Sequence, residues 1–76
     1  MNQKRRTEIT EVIAEILSAK QDTESILMDE QTCLDNMPEN LEGSARYERI
    51  ENAVDKLDDA VDFLQDAIDS LEDAMK

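Results

Sequence analysis

Residues 52–76 can be written as four rows, NAVDKLD, DAVDFLQ, DAIDSLE and DAMK, in which similar residues recur in the same places. Alanine fills one column, and the column beside it holds Val, Val, Ile and Met. Leucine recurs three residues further on, and aspartate fills the opposite side. This periodicity predicts one long amphipathic helix with an apolar stripe and an anionic stripe. The residues that we predict to mediate self-association are Ala53, Val54, Leu57, Ala60, Val61, Leu64, Ala67, Ile68 and Leu71.

The first half of the chain carries a second and wider apolar pattern. If Ile9 occupies heptad position a, the apolar residues fall at positions a, d and e, which is typical of a helix in a bundle. The pattern weakens where Thr23 and Glu30 occupy a positions and Lys20 an e position. We interpret these three as determinants of register or as a water-facing edge, because polar seam residues commonly specify pairing. The alternative, a buried ligand site, lacks further polar groups that converge there. The d column holds Val12, Ala19, Ile26 and Cys33, and the e column holds Ile13, Leu27 and Leu34.

The segment DNMPENLEGS, residues 35–44, interrupts both patterns. Pro38 cannot continue a helix from the preceding turn, and Gly43 supplies backbone freedom. Ser44 is a favourable N-cap for a second helix. The sequence therefore predicts a single domain over residues 1–76, with helices at 4–35 and 45–75 and a linker at 36–44.

Two helices of nearly equal length across one short connection predict an all-α antiparallel coiled-coil hairpin. A single hairpin would leave much of so wide an apolar seam exposed, so we expect a homodimer that forms a four-helix bundle. Folding about the linker would also bring unlike charges together and favour the antiparallel arrangement. The expected groups are Lys4, Arg5 and Arg6 beside Asp69, Glu72 and Asp73, and Glu30 near Arg49.

The composition argues against a catalytic or metal site. The chain has 76 residues, no His, a single Cys and a net charge of −12. Without His, and with one thiol, neither a carboxylate–histidine metal bundle nor a thiolate zinc site can be built. Phosphate loops and nucleophile motifs are also absent. Cys33 lies on the predicted core face and is expected to be a small buried hydrophobe. We therefore expect no enzyme activity and no cofactor.

The charge and the apolar segments also indicate partners and location. An acidic chain is disfavoured as a direct ligand of nucleic acid or of an anionic membrane, whereas a basic protein surface suits it. No stretch predicts a transmembrane span, and no apolar segment follows the basic residues near the start as in a signal peptide. A single Cys is typical of a reducing cytoplasm.

The aspartate side of the second helix is the candidate binding surface. Aspartate is a mediocre helix former, and its short side chain holds charge close to the backbone. Phe63 lies among these carboxylates and is a candidate anchor for a partner or a second dimer contact, because aromatic residues are enriched in binding hot spots. The alternative interpretation is that the acidity only provides solubility. We define the acidic stripe as Asp55, Asp59, Asp62, Asp66, Asp69 and Asp73.

The linker carries a resemblance to a known group of proteins. The run Asp35–Leu41 (DNMPENL), followed by Gly43-Ser44, by Arg46–Glu48 (RYE) and by the heptad helix, resembles short acidic helical-hairpin proteins of bacteriophages and mobile elements. The resemblance implies a helical hairpin that acts in a bacterial host cell. Small acidic phage proteins include anti-CRISPR and anti-restriction inhibitors, which implies a DNA-mimicking carboxylate stripe that binds a basic nucleic-acid-handling protein. The alternative is a structural coiled-coil oligomerisation module.

Overall fold

The computed structural model describes residues 1–76 as two long helices and no strand. Helix α1 spans Gln3–Asp35 and helix α2 spans Ala45–Ala74, with a short 3₁₀ turn at Glu39–Leu41 between them. The helices pack against each other and form a rod of 59 × 15 × 13 Å. The predicted all-α hairpin is confirmed, and each helix ends within one residue of its predicted bounds.

Both helices begin at a side-chain cap. The backbone N–H of Arg5 donates to the side-chain oxygen of Asn2 at 2.9 Å, and that of Tyr47 donates to the hydroxyl of Ser44 at 3.1 Å. Each cap satisfies one of the N–H groups that the first turn of a helix leaves unpaired. Gly43, with φ +80°, is the one residue in the left-handed region, which glycine adopts without a steric penalty. The linker thus reverses the chain and caps α2 in adjacent residues.

The helices meet along two columns of residues from each. On both sides the contacting positions alternate by three and four residues, as in a two-stranded coiled coil. Ile68 is the most buried residue, with 5% of its surface exposed, and most other contacting residues are half-buried. We call this contact the inner seam. It consists of Ile9, Ile13, Ile16, Lys20, Thr23, Leu27, Glu30, Leu34 and Met37 against Tyr47, Ile50, Val54, Leu57, Val61, Leu64, Ile68, Leu71 and Met75.

The prediction that all three apolar columns of the first helix form the core is wrong for the d column. Cys33 is exposed rather than buried, as are the other three residues of that column. A helix that packs on one partner presents only two adjacent columns to it. The e column supplies Ile13, Leu27 and Leu34, whereas half of the d column consists of the small residues Ala19 and Cys33, which would fill the space between the helices less well. The outward residues are Val12, Ala19, Ile26 and Cys33.

Two polar residues of the inner seam, Lys20 and Thr23, have partners within α1. The Thr23 hydroxyl donates to the carbonyl of Ala19 at 2.8 Å, which leaves its methyl group for packing. The ammonium of Lys20 lies 3.8 Å from the carboxylate of Glu24, so its alkyl chain covers the seam while its charge reaches water. No buried side-chain nitrogen or oxygen lacks a hydrogen bond.

The register of the hairpin follows from one contact and from the lining of one groove. The Thr10 hydroxyl lies 3.8 Å from the sulfur of Met75, and Gln31 and Val54 line the same groove. In both pairs the residue numbers add to 85, so residue n of α1 lies across from residue 85 − n of α2, to within about one position. The residues that precede Thr10 therefore extend beyond the end of α2.

This register explains why the predicted charge pairs between the helices do not form. The basic residues at positions 4–6 extend past the acids of α2, and Arg49 lies across from about residue 36 rather than from Glu30. All ion pairs of the chain join residues three or four positions apart in the sequence, so none of them contributes to the antiparallel pairing of the helices. The pairs are Lys4–Glu8, Lys20–Glu24 and Asp73–Lys76.

Candidate functional site

The acidic stripe runs along the outer surface of α2. Its six aspartates occupy two adjacent columns, and every one of them is exposed. The α2 helix holds their backbones in a fixed array, because its inner face is packed on α1. At a rise of 1.5 Å per residue, the stripe from Asp55 to Asp73 is about 27 Å long. The structure therefore brings all six predicted carboxylates to one continuous surface.

Little of this charge is neutralised within the chain. The Gln65 amide donates to Asp69 at 2.9 Å, and the Lys76 ammonium lies 3.2 Å from Asp73. The other four aspartates of the stripe have neither an ion pair nor a side-chain hydrogen bond. Residues 51–73 contain nine acids and one base, Lys56, and thus carry a charge of −8. The negative potential of the stripe is available to a partner.

Phe63 lies at the border of the acidic stripe rather than at its centre. Its side chain is 69% exposed. The helical spacing places it between the column of Asp59 and Asp66 and the column of Ala60 and Ala67. Phe63 can therefore contact a molecule bound to the acidic stripe or a molecule packed on the neighbouring alanines.

The residues predicted to mediate self-association divide into two groups. Ala53 and Ala60 are half-buried at the flank of the inner seam, and Ala67 is exposed. The remaining residues form the inner seam itself and pack on α1 of the same chain. These are Val54, Leu57, Val61, Leu64, Ile68 and Leu71.

A second apolar surface exists that sequence reasoning missed. The four residues of the d column of α1, which we call the Val12 column, each directly precede an inner-seam residue of α1. Four alanines of α2, which we call the alanine column, each directly precede an inner-seam residue of α2: Ala53, Ala60, Ala67 and Ala74. Because the helices are antiparallel and face each other, the two preceding positions lie on the same side of the hairpin. The opposite side is more polar, although Leu17 and Met28 are exposed there: Gln31 and Asp58, which directly follow seam residues, line one groove on it. We define the apolar side as Val12, Ala19, Ile26, Cys33, Ala53, Ala60, Ala67 and Ala74.

A signal for this surface was present in the sequence. The d column of α1 and the alanine column of α2 are both apolar over four heptads. The first helix has three apolar columns and only two of them can contact α2, so the third must remain outside the core.

The geometry does not indicate a metal site, a membrane-spanning helix or an enclosed ligand pocket. No three acidic or thiol side chains converge as metal ligands would. Neither helix has a stretch apolar and long enough to cross a lipid bilayer. The groove between Leu27 and Val54 is open to solvent, and three of its six lining residues are polar.

Comparison with known proteins identifies no relative: no protein-family model, no curated protein and no solved structure matches the chain.

Proposed function

We propose that this protein is a non-enzymatic, acidic protein-binding module of phage or mobile-element type. In this proposal it inhibits a basic nucleic-acid-binding protein of a bacterial host, by presenting the acidic stripe where nucleic acid would bind. Anti-CRISPR and anti-restriction inhibitors are the expected functional class, and the bacterial cytoplasm is the expected location. The observation that carries the proposal is the exposure of all six aspartates on one rigid surface.

Electrostatics supports a basic partner. Carboxylates recur along the stripe every three or four residues, which is about 5 Å of helix axis. Duplex DNA carries one charge per ~1.7 Å of its axis, so a single stripe is sparser than DNA, and two stripes in an assembly approach it more closely. A groove lined by Lys and Arg attracts such an array and accelerates its association.

The second candidate is a structural oligomerisation module in which the acidity serves only solubility. The scarcity of buried side chains favours it, because one residue of 76 is buried in the single hairpin. The two candidates differ in which surface carries binding to another protein. The inhibitor uses the acidic stripe, whereas the structural module uses apolar contacts alone.

Replacing part of the stripe tests the proposal. The variant combines Asp59→Asn, Asp62→Asn, Asp66→Asn and Asp69→Asn. Immobilised wild type and variant are incubated with nuclease-treated bacterial lysate, and each captured protein is purified. Its binding to labelled DNA or guide RNA is then measured with and without the hairpin. We expect a nucleic-acid-binding protein that wild type captures and inhibits, with binding that weakens steeply between 50 and 200 mM salt, as for about six or more charge contacts.

A matched control removes the same number of charges elsewhere. It combines Glu11→Gln, Asp35→Asn, Glu39→Gln and Glu42→Gln, all of them exposed and outside the stripe. The control should capture and inhibit as wild type does. Equal loss in both variants would show that net charge alone matters, and capture that neither variant changes would favour the structural module.

A further inference from the structure

The single hairpin exposes more surface than a compact chain of its size. Its accessible surface is 5562 Å², whereas a compact monomer of 8.7 kDa exposes about 4,700 Å². Its radius of gyration of 17.3 Å also exceeds the value of about 11 Å for a compact domain of this length. Part of the exposed surface is apolar: on the apolar side, Val12 is 42% and Ile26 is 52% exposed. The hairpin therefore has a face that another molecule can cover.

The two long rims of the apolar side carry different charges. Along the α1 rim, outside the Val12 column, every residue of the adjacent column is acidic. Along the α2 rim, outside the alanine column, the adjacent column holds two bases, one aromatic residue and one serine. Within the chain, only Glu8 of these charged groups has an ion-pair partner. The α1 rim is Glu8, Glu15, Asp22 and Asp29, and the α2 rim is Arg49, Lys56, Phe63 and Ser70.

We propose that a second copy of the chain covers the apolar side. The two hairpins lie face to face with their linkers at the same end, related by a two-fold axis parallel to the helices. Helix α1 of each copy then packs on α2 of the other, and all neighbouring helices of the four-helix bundle are antiparallel. This interface is distinct from the inner seam and does not depend on the proposed function, since it leaves the acidic stripe outside.

The side chains of the two columns are complementary in size in this arrangement. Because the axis runs along the helices, the relation between residue n and residue 85 − n also holds between copies, to within about one position. The larger residues of α1 then face the alanines of α2: Ile26 faces Ala60, and Val12 faces Ala74. A bulky side chain opposite a small one lets the helices interdigitate without voids.

The rims bring one pair of unlike charges together in the same arrangement. Asp29 of one copy lies across from Lys56 of the other, because their numbers add to 85, and this pair occurs twice in the dimer. Phe63 lies across from Asp22 and reaches over Ala19 of the second copy, which covers its exposed ring. The other face-to-face arrangement, with α1 on α1, would place two acidic rims together and is disfavoured by repulsion.

The available area suits a stable dimer. Over the 30 residues of α2, which are about 45 Å long at 1.5 Å per residue, a face 15 Å wide covers roughly 700 Å² per copy, and stable protein–protein interfaces bury about 800 Å² per partner. A second copy supplies an apolar surface of the same length. Its α1 rim lies beside the α2 rim of the first copy, and its α2 rim lies beside the α1 rim.

Charge reversal tests the pairing. Sedimentation equilibrium of the full chain should give twice 8.7 kDa for wild type. Asp29→Lys alone and Lys56→Asp alone should each raise the dimer dissociation constant by ~10-fold or more, because each places like charges across the interface. The double variant Asp29→Lys/Lys56→Asp should restore it to within ~3-fold of wild type.

Replacing one apolar residue with a charged one, with a control elsewhere, tests whether the apolar side forms the dimer interface. Ile26→Glu should raise the dissociation constant by ~100-fold or more, because a charge becomes buried. Met28→Glu, at an exposed apolar residue outside the apolar side, should change it by less than ~3-fold. Circular dichroism checks that the variants stay helical. A monomeric or larger wild type, no rescue in the double variant, or equal effects of the two Glu substitutions would overturn the proposal.

Discussion

The hydroxyl of Thr10 lies 3.8 Å from the sulfur of Met75, although the two residues are 65 positions apart in the chain. This contact defines the open end of the hairpin. In this register the first residues of α1, which begins at Gln3, extend about two turns beyond the C-terminal end of α2. The inner seam, the rims of the apolar side and the position of the acidic stripe all follow from this register.

A disulfide at this contact should stabilise the hairpin. In a Cys33→Ser background, Thr10→Cys with Met75→Cys should oxidise within one chain and raise the free energy of unfolding by up to about 4 kcal/mol. The measurement is urea unfolding of the oxidised and reduced forms at the same dilute protein concentration. Gln3→Cys with Met75→Cys is the control, and equally fast intramolecular oxidation of that pair would contradict the register.

Ile68→Ala should be among the most destabilising substitutions of the chain. Ile68 is the most buried residue, so truncation removes apolar contacts and leaves a cavity at a cost of about 2–5 kcal/mol. Met28→Ala, on a side chain 69% exposed, should cost less than about 0.5 kcal/mol. Urea unfolding followed by circular dichroism measures both. Comparable losses would mean that the inner seam lies elsewhere.

Lys20→Leu should stabilise the protein. Lys20 occupies an inner-seam position across from Leu64, and its charge escapes only along the alkyl chain towards Glu24. An apolar residue there should raise the free energy of unfolding by about 1 kcal/mol, because a polar seam residue costs stability. Thermal unfolding is measured for Lys20→Leu and for the control Lys4→Leu, because the side chain of Lys4 is solvated. An unchanged or lower stability of Lys20→Leu would show that its charge contributes more than the packing it replaces.

Gly43→Ala should destabilise the hairpin through the backbone alone. A Cβ at this position meets no atom within 4 Å, so no side chain would clash. The cost arises from φ +80° and is about 1 kcal/mol. Gly43→Asn should cost less, because Asn visits the left-handed region more readily. Chemical denaturation of both variants measures the difference, and an alanine variant as stable as wild type would exclude this conformation in solution.

Much of the fold could be read from local patterns. The seven-residue repeat of residues 52–76 predicted α2, Pro38 and Gly43 predicted the reversal, and Ser44 predicted the second cap. These features act over a few neighbouring residues, so their structural consequences do not depend on distant parts of the chain. The acidic stripe belongs to the same class, because the helical spacing alone places its aspartates on one surface.

The sequence by itself determined two amphipathic helices, their ends and the line of carboxylates on α2. Only the tertiary structure decided which columns of α1 meet α2, and hence that Ile26 and Cys33 point outward. Three apolar columns compete for a contact only two columns wide, and the choice depends on how side chains from both helices fill the space between them. The register joins Thr10 to Met75 and separates the terminal charges. It depends on the whole seam and cannot be read from either helix alone.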